Sequence, residues 1–460
     1  MSLIKSISGI RGTIGGKVDE NLTPIDAVKF AAAYGSWLKG QSDKEHVKVV
    51  IGRDARISGE MIQNLVQYTL IGLGIDVVNI GLSTTPTVEV AVPMEKADGG
   101  IILTASHNPK EWNALKLLNN KGEFVSDQDG KAILKIAQEN DFSFATVDHL
   151  GKLIHDDQYI DLHIEKVLAL PLVASEAIQK KKFRVVVDAV NSTGGIAIPR
   201  LLERLGVEVV KLYCEPNGHF PHNPEPLKEH LGDICKRVVE EKADFGIVVD
   251  PDVDRLAFIT DKGEMFGEEY TLVACADYVL GKAKGNVVSN LSSSRALRDI
   301  AQKHGVSYSA AAVGEVNVVT EMKRVEAIIG GEGNGGIIYP ELHYGRDALV
   351  GVALFLSLLA ERGGSVQQLR ESYPAYFMSK NKIQLTEQIN PDQILKAMEQ
   401  KYAHEQTTTI DGLKIDFADS WVHLRKSNTE PIIRIYTEAK SQKEADALAH
   451  RFIEEMQALI

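Results

Sequence analysis

Cysteine is scarce in this chain, with three residues among 460, at Cys214, Cys235 and Cys275. Isolated and odd in number, they form neither a disulfide framework nor a metal-ligand spacing, and they read as reduced, buried thiols of a cytoplasmic protein. Long apolar runs are lacking too. The longest, such as Ala348 to Ala360, is too short to span a bilayer and has no flanking basic cluster, so no membrane partner is expected. Residues 1–20 do not read as a signal peptide, because Lys5, Arg11 and Lys17 interrupt any apolar stretch. Positive charge is in deficit, with 51 Lys and Arg against 63 Asp and Glu, a formal net charge of -12. Nucleic-acid binding rests on neutralising phosphates with clustered basic residues, so that class is set aside. What remains is ordinary globular composition, 44% hydrophobic and 25% charged. The length exceeds one hydrophobic core, and roughly 150 residues per domain suggests about three domains.

An internal repeat organises most of the chain. The first copy has an apolar strand at Val47–Gly52, a helical stretch from Gly59, a strand after Gly74, and Ala97–Leu103 running into Thr104. The second has Val185–Asp188, a helix ending near Leu205, Gly206–Val210, and Ala243–Val249 running into Asp250. The third has Val287–Ser289, a helix through Lys303, Gly305–Tyr308, and Val325–Ile329 running into Gly331. Strand, helix, strand, helix, strand in each copy argues an α/β fold with largely parallel sheets and helices on both faces. Ligands of such sheets bind beyond the carboxyl ends of the strands. The chemistry is therefore expected in the three segments that follow the last strand of each copy. The tail differs. It reads as a strand at Lys382–Leu385, a helix at Pro391–Tyr402 capped by Asn390, strands near Leu413–Phe417 and Ile432–Thr437, and a helix from about Gln442. The expected architecture is three similar mixed-sheet α/β domains (1–154, 155–256, 257–369) and a small α+β domain (370–460) around a central cleft.

The three segments are polar and rich in turn residues. Asp250, Asp252 and Asp254 alternate on a Pro-broken loop; three close carboxylates repel unless a cation joins them, and hard oxygen ligands suit Mg²⁺ or Ca²⁺. Arg255 and Asp261 stand where an EF-hand needs Gly and Glu, which excludes that motif. Ser106 is followed by His107, but no G-x-S-x-G elbow surrounds it, and adjacent side chains are poorly placed for a Ser–His hydrolase. Gly331-Glu332-Gly333-Asn334-Gly335-Gly336 matches G-x-G-x-x-G, yet no helix opens after it and Glu332 would repel a pyrophosphate. The carboxylate of Glu332 and amide of Asn334 suit sugar hydroxyls instead. Gly12–Lys17 is no P-loop. In the tail, Arg425, Ser427, Asn428, Thr429 and Arg434 gather donors suited to a phosphate dianion, and Arg11 is a further candidate phosphate contact. Pro221–Pro226 reads as a lid or interdomain turn, and His343 and His423 read as structural.

Four ordered motifs spread over essentially the whole chain resemble the α-D-phosphohexomutase family. Thr104–Pro109 is similar to its phosphoserine loop, Asp250–Arg255 to its metal loop, Glu332 and Asn334 lie in its sugar loop, and Arg425–Pro431 is similar to its phosphate loop. The resemblance implies that Ser106 carries the phosphoryl group, with Mg²⁺ on Asp250, Asp252, Asp254 and a phosphoserine oxygen of Ser106. It implies Lys116 and His107 as acid/base groups, Arg11 beside them, and Arg255 with the sugar and tail residues as substrate contacts. Small sugar phosphates would be the partners of a monomer or homodimer. Where many members carry a histidine, this chain has Gly336, and His343 is the candidate to take its place. The form G-E-G-N-G-G, with Val313–Asn317 and Arg346-Asp347, is similar to the archaeal-type phosphoglucosamine mutase branch. Glucosamine phosphate is the expected substrate, phosphomannomutase/phosphoglucomutase activity the next reading, and a metal-dependent phosphatase or a silent binder the alternatives from other classes.

Overall fold

The computed structural model describes residues 2–6, 9–42, 44, 46–385, 390–427 and 432–459. Four sheets follow one another along the chain. The first has seven strands in the order Ile4–Ser6, Gly9–Thr13, Trp112–Leu118, Gly99–Leu103, Lys48–Arg53, Asp76–Leu82, Leu153–His155. Its last four strands are mutually parallel and the others antiparallel. The second orders Leu256–Ile259, Phe245–Val249, Arg184–Asp188 and Glu208–Leu212; the third orders Tyr308–Ala311, Asn286–Asn290, Ala327–Glu332 and Gly336–Ile338. Both are parallel except for one edge strand.

That antiparallel edge strand makes the sheets mixed, as expected of the three α/β domains. In each α/β unit one parallel strand leads into an antiparallel return strand. Gly99–Leu103 pairs antiparallel with Trp112–Leu118, Phe245–Val249 with Leu256–Ile259, and Ala327–Glu332 with Gly336–Ile338. The three polar segments are thus the tips of three equivalent hairpins. The second sheet also runs to Ile259, past residue 256, because its return strand belongs to it.

The tail holds one antiparallel sheet of five strands, Phe377–Gln384, Ile432–Ala439, Trp421–Lys426, Leu413–Asp416 and Gln406–Thr408. Helices Pro391–Lys401 and Gln442–Gln457 accompany it, the first capped by the Asn390 side chain, which accepts from the Asp392 N–H. Trp421–Lys426 and Gln406–Thr408 are strands beyond those expected, and Arg425 sits on a strand rather than in a loop.

The apolar run at Ala348 forms the helix Ala348–Arg362, buried from Ala348 to Ala360 and capped by Asp347. A helix apolar on every side belongs inside a core. It brings Phe355 against Phe258, with ring centroids 3.7 Å apart, and against Phe245 and Phe266. One continuous apolar cluster therefore runs from Ile160 to Tyr373, spanning the second and third units. The first unit and the tail have cores of their own. No helix among the described residues is long and apolar enough to cross a membrane.

Candidate active site

The cleft between the units has a volume of about 590 Å³ and is lined by residues of all three hairpin tips and the tail. Ser106, in the first tip, has a φ of +48°, a region that costs a non-glycine residue energy and persists only when neighbours enforce it. Arg56, 1% exposed, is what enforces it. Its Nη2 donates to the Ser106 and Asn108 carbonyls, and its Nη1 to those of Pro109 and Trp112 at 2.6 and 3.0 Å. Its Nε is held by Asp54 at 3.0 Å. Thr104 Oγ1 donates to Asp54 and accepts from the Ser106 N–H at 2.9 Å.

So fixed, Ser106 Oγ donates to Asp250 Oδ2 at 2.7 Å, bridging the first and second hairpin tips. His107 Nδ1 lies 3.5 Å from the same Oγ, too far for a firm hydrogen bond. Burial, then the charge of Arg255, holds His107 well below the usual imidazole value, so it is neutral at pH 7.

Asp250, Asp252 and Asp254 are all fully buried, with ligand atoms within 4.8 Å of one another. Their oxygens are not equivalent. Asp252 Oδ2 receives Lys116 Nζ at 2.7 Å and Thr85 Oγ1 at 2.5 Å. Asp254 Oδ2 receives Arg346 Nη2 at 2.7 Å. The Oδ1 atoms of Asp252 and Asp254 are buried with no hydrogen-bond partner among the described residues. Leaving such oxygens unpaired costs several kcal/mol, about 1–3 each or more when charged, unless a cation takes them. Two orphaned carboxylate oxygens beside Asp250 and Ser106 Oγ form an all-oxygen donor set, and they fit a hard divalent cation.

The surrounding charges agree. Burial, then the charges of Asp254 and Asp252, push Asp250 well above the usual carboxylate range, as like charges held close together do. Burial works the same way on Asp254, but Arg346, then Lys116 and Arg255, outweigh it and hold Asp254 low. Burial would lower Lys116; Asp252 and Asp254 outweigh it, and Lys116 is held as a cation.

In the third tip, Glu332 ends its strand rather than opening a loop. Its Oε1 accepts from Asn290 Nδ2 at 2.8 Å and Gly314 N at 3.1 Å, and its Oε2 from Arg346 Nη1 at 2.8 Å. Asn334 Oδ1 accepts from the Gly336 N–H, closing the turn. Gly335 is required there, at φ +85° with the Leu256 carbonyl 2.1 Å from where a Cβ would sit. The space before Gly336 is filled by Arg346. His343 is not among the residues lining the cleft. It faces Asp347 and Glu89, at 3.3 and 3.4 Å, in a buried junction with His163, and so does not stand in for a side chain at Gly336. His423 is buried and bonded to Ser292 and Asp411.

Across the cleft, Arg425 and Arg434 sit directly opposite one another on adjacent strands. Arg425 is held loosely by Asp411, at 3.4 Å. The Ser427 N–H binds the Ile432 carbonyl at the strand ends, and Asn428 and Thr429 lie outside the described residues. Arg11 and Arg255 form a second cationic pair. Burial, then the charge of Arg255, lowers Arg11, and the Nε of each is buried without a hydrogen-bond partner among the described residues. Two guanidiniums that repel one another beside Ser106 suit a phosphoryl group between them. The sequence motifs gave no role to Arg56 or Arg346. Their signal lay in the paired strings Gly52-Arg53-Asp54-Ala55-Arg56 and Gly345-Arg346-Asp347, in which a charged pair follows a glycine at a strand or loop end.

The chain matches four consecutive family profiles, described as Phosphoglucomutase/phosphomannomutase alpha/beta/alpha domains I, II and III and the C-terminal domain. They cover residues 3–144, 158–263, 267–376 and 382–455. A phosphoglucomutase/phosphomannomutase of Thermococcus kodakarensis is 36% identical over 440 residues, covering 94% of this chain and 95% of the relative. A phosphoglucosamine/phosphogalactosamine mutase of Sulfurisphaera tokodaii is 30% identical over 457 residues, covering 98% of each. A crystal structure of a phosphoglucomutase/phosphomannomutase family protein from Burkholderia thailandensis superposes with a TM-score of 0.86 at 25% identity, over 99% of this chain and 98% of that one. Matches that span every hairpin tip and the tail in order leave one assignment: the chain belongs to the phosphoglucomutase/phosphomannomutase family, the α-D-phosphohexomutases.

Proposed function

We propose that this protein interconverts hexose 6-phosphates and hexose 1-phosphates through phosphorylated Ser106 and a hexose bisphosphate, with glucosamine phosphate preferred. The observation that carries the reading is the placement of Ser106. Its Oγ lies against Asp250, with the paired guanidiniums of Arg425 and Arg434 in the same cleft. Phosphoryl transfer asks a protein mainly for positioning and charge neutralisation. Asp250, Asp252 and Asp254, with a phosphoserine oxygen on Ser106, would hold Mg²⁺, which when bound neutralises phosphoryl charge. Arg11 and Arg255 grip the phosphoryl group on Ser106. Lys116, cationic against Asp252, begins as an acid and can donate to the bridging oxygen as it leaves. His107, neutral, can accept the proton of the attacking hydroxyl. Glu332 and Asn334 orient the sugar hydroxyls. Arg425, Ser427, Asn428, Thr429 and Arg434 hold the phosphate that is not reacting. The working domain division is 1–154, 155–256, 257–369 and 370–460, with the return strand through Ile259 added to the second unit. Three unpaired thiols fit a reducing, cytoplasmic setting.

The test is intact-mass analysis with a coupled assay. The wild type is expected to carry one phosphate and to convert glucosamine 1-phosphate. Ser106→Ala is expected to lose both while keeping its melting temperature within a few degrees, since one buried hydroxyl bond is worth about 1 kcal/mol. Release of inorganic phosphate in place of isomer would point to a phosphatase. The 36% identity to a phosphoglucomutase/phosphomannomutase favours glucose and mannose phosphates as the second reading. Side-by-side turnover of the three 1-phosphates decides between them.

A further inference from the structure

Arg346 stands in the cleft wall, where its guanidinium is shared by carboxylates from three separate segments. Nη2 donates to Asp254 at 2.7 Å, Nη1 to Glu332 at 2.8 Å and Nε to Glu315 at 3.0 Å; its backbone N–H takes the other Glu315 oxygen at 3.1 Å. Its stem is confined as well, because a Cβ on Gly336 would lie 2.3 Å from Arg346 Cδ. Each contact has a consequence for the site. By claiming Asp254 Oδ2, Arg346 decides that Oδ1 is the oxygen left without a partner. By claiming Glu332 Oε2, while Asn290 and Gly314 claim Oε1, it leaves that carboxylate one orientation.

We propose that Arg346 is a positioning residue that ties the sugar loop to the acidic loop, holding Glu332 and Asp254 in one register so that the hydroxyl gripped by Glu332 meets the phosphoryl group on Ser106. The inference rests on the phosphoserine reading for its reaction, though its geometry does not. A planar fork can serve three carboxylates at fixed angles; an ammonium offers a point charge on a flexible stem. Charge and geometry can therefore be separated. Arg346→Lys keeps the charge and loses the fork. Gly336→Ala keeps every charge and displaces the stem. In both variants the electrostatic attraction for a cation is nearly constant, and what changes is the orientation of Asp254.

Two readouts test this on the full chain. Mn²⁺ binding is measured by electron paramagnetic resonance on chelator-stripped protein, and kcat and KM are measured with glucosamine 1-phosphate. Both variants are expected to bind Mn²⁺ about 10-fold or more weakly, and to lose about 10- to 100-fold in kcat with a smaller change in KM. Wild-type Mn²⁺ affinity and kcat in Arg346→Lys would mean that charge alone suffices, and would overturn the proposal. If Arg346→Lys does not fold, Gly336→Ala decides, and wild-type values there overturn it equally. A wild type without phosphoserine would defeat the reading of Ser106, while the Mn²⁺ measurement would still decide the role of Arg346.

Discussion

The left-handed backbone of Ser106 is held by contacts from Arg56 and Thr104. Left alone, a serine at φ +48° relaxes toward the ordinary regions. Arg56 prevents this through four carbonyls of the same loop, an arrangement a lysine cannot reproduce. Arg56→Lys should destabilise the fold by about 1–3 kcal/mol, because carbonyls left buried without donors carry that cost. It should also slow phosphorylation of Ser106 by glucose 1,6-bisphosphate, on the order of 100-fold, the penalty of a small misplacement of a reacting group. Thermal denaturation reads the first and single-turnover intact-mass measurement the second. A variant phosphorylated at the wild-type rate would show that the loop holds its shape unaided.

At the scale of elements, the hairpin is the unit that makes the site. Each acidic, hydroxyl or glycine tip is carried outward by one parallel strand and returned by one antiparallel strand, so its side chains project from a braced turn. The parallel strands were legible in the sequence as buried β-branched runs such as Val185–Val187, and the helices as the stretches between them. The return strands were not. Leu256–Ile259 and Gly336–Ile338 are short and apolar on both faces, so no alternation marks them. Trp421–Lys426 was hidden by its basic end, which looks like a loop until Arg434 is found opposite Arg425. The motif residues Ser106, Asp250, Asp252, Asp254, Glu332 and Asn334 were legible because each lies at a strand end in a distinctive string. Arg56 and Arg346 were not, since the partners that give them meaning are backbone carbonyls or carboxylates far off in the chain.

The same pair of strands carries a prediction about substrate. If Arg425 and Arg434 hold the phosphate that is not reacting, they must meet it in both orientations of the sugar. Arg425→Ala should then weaken glucose 1-phosphate and glucose 6-phosphate by similar factors, roughly ten- to a hundred-fold, from the loss of about 1.5–3 kcal/mol of charged hydrogen bonding. Ser106 should remain phosphorylated. Isothermal titration with each sugar phosphate measures both affinities, and impairment of only one would refute a shared site.

In the whole molecule the four units are not equally independent. The tail is pinned to the third unit by Arg295, 5% exposed, whose guanidinium binds the carbonyls of Phe417, Ala418 and Ser420 and the carboxylate of Asp416. Lys414 Nζ adds a bond back to the Leu291 carbonyl at 2.9 Å. The tail therefore has a defined seat on the third unit, while its own apolar core stays separate.

The core that runs from Ile160 to Tyr373 has a consequence for how the chain melts. Phe245 and Phe258 come from the second unit, but Phe355, which covers them, comes from the helix Ala348–Arg362 of the third. Neither half can be dry without the other, and a fully exposed phenylalanine forfeits about 1.5–3 kcal/mol. Cooperativity should therefore cross the repeat boundary, so that scanning calorimetry finds the second and third units in a single endotherm. A fragment of residues 158–263 made alone should bind anilinonaphthalene sulfonate and self-associate, whereas 158–376 should stay monomeric. A soluble, cooperatively folding 158–263 would contradict this. Three repeats written in the sequence would then unfold as two thermodynamic bodies, the repeat count and the count of cooperative units having parted company at one buried aromatic stack.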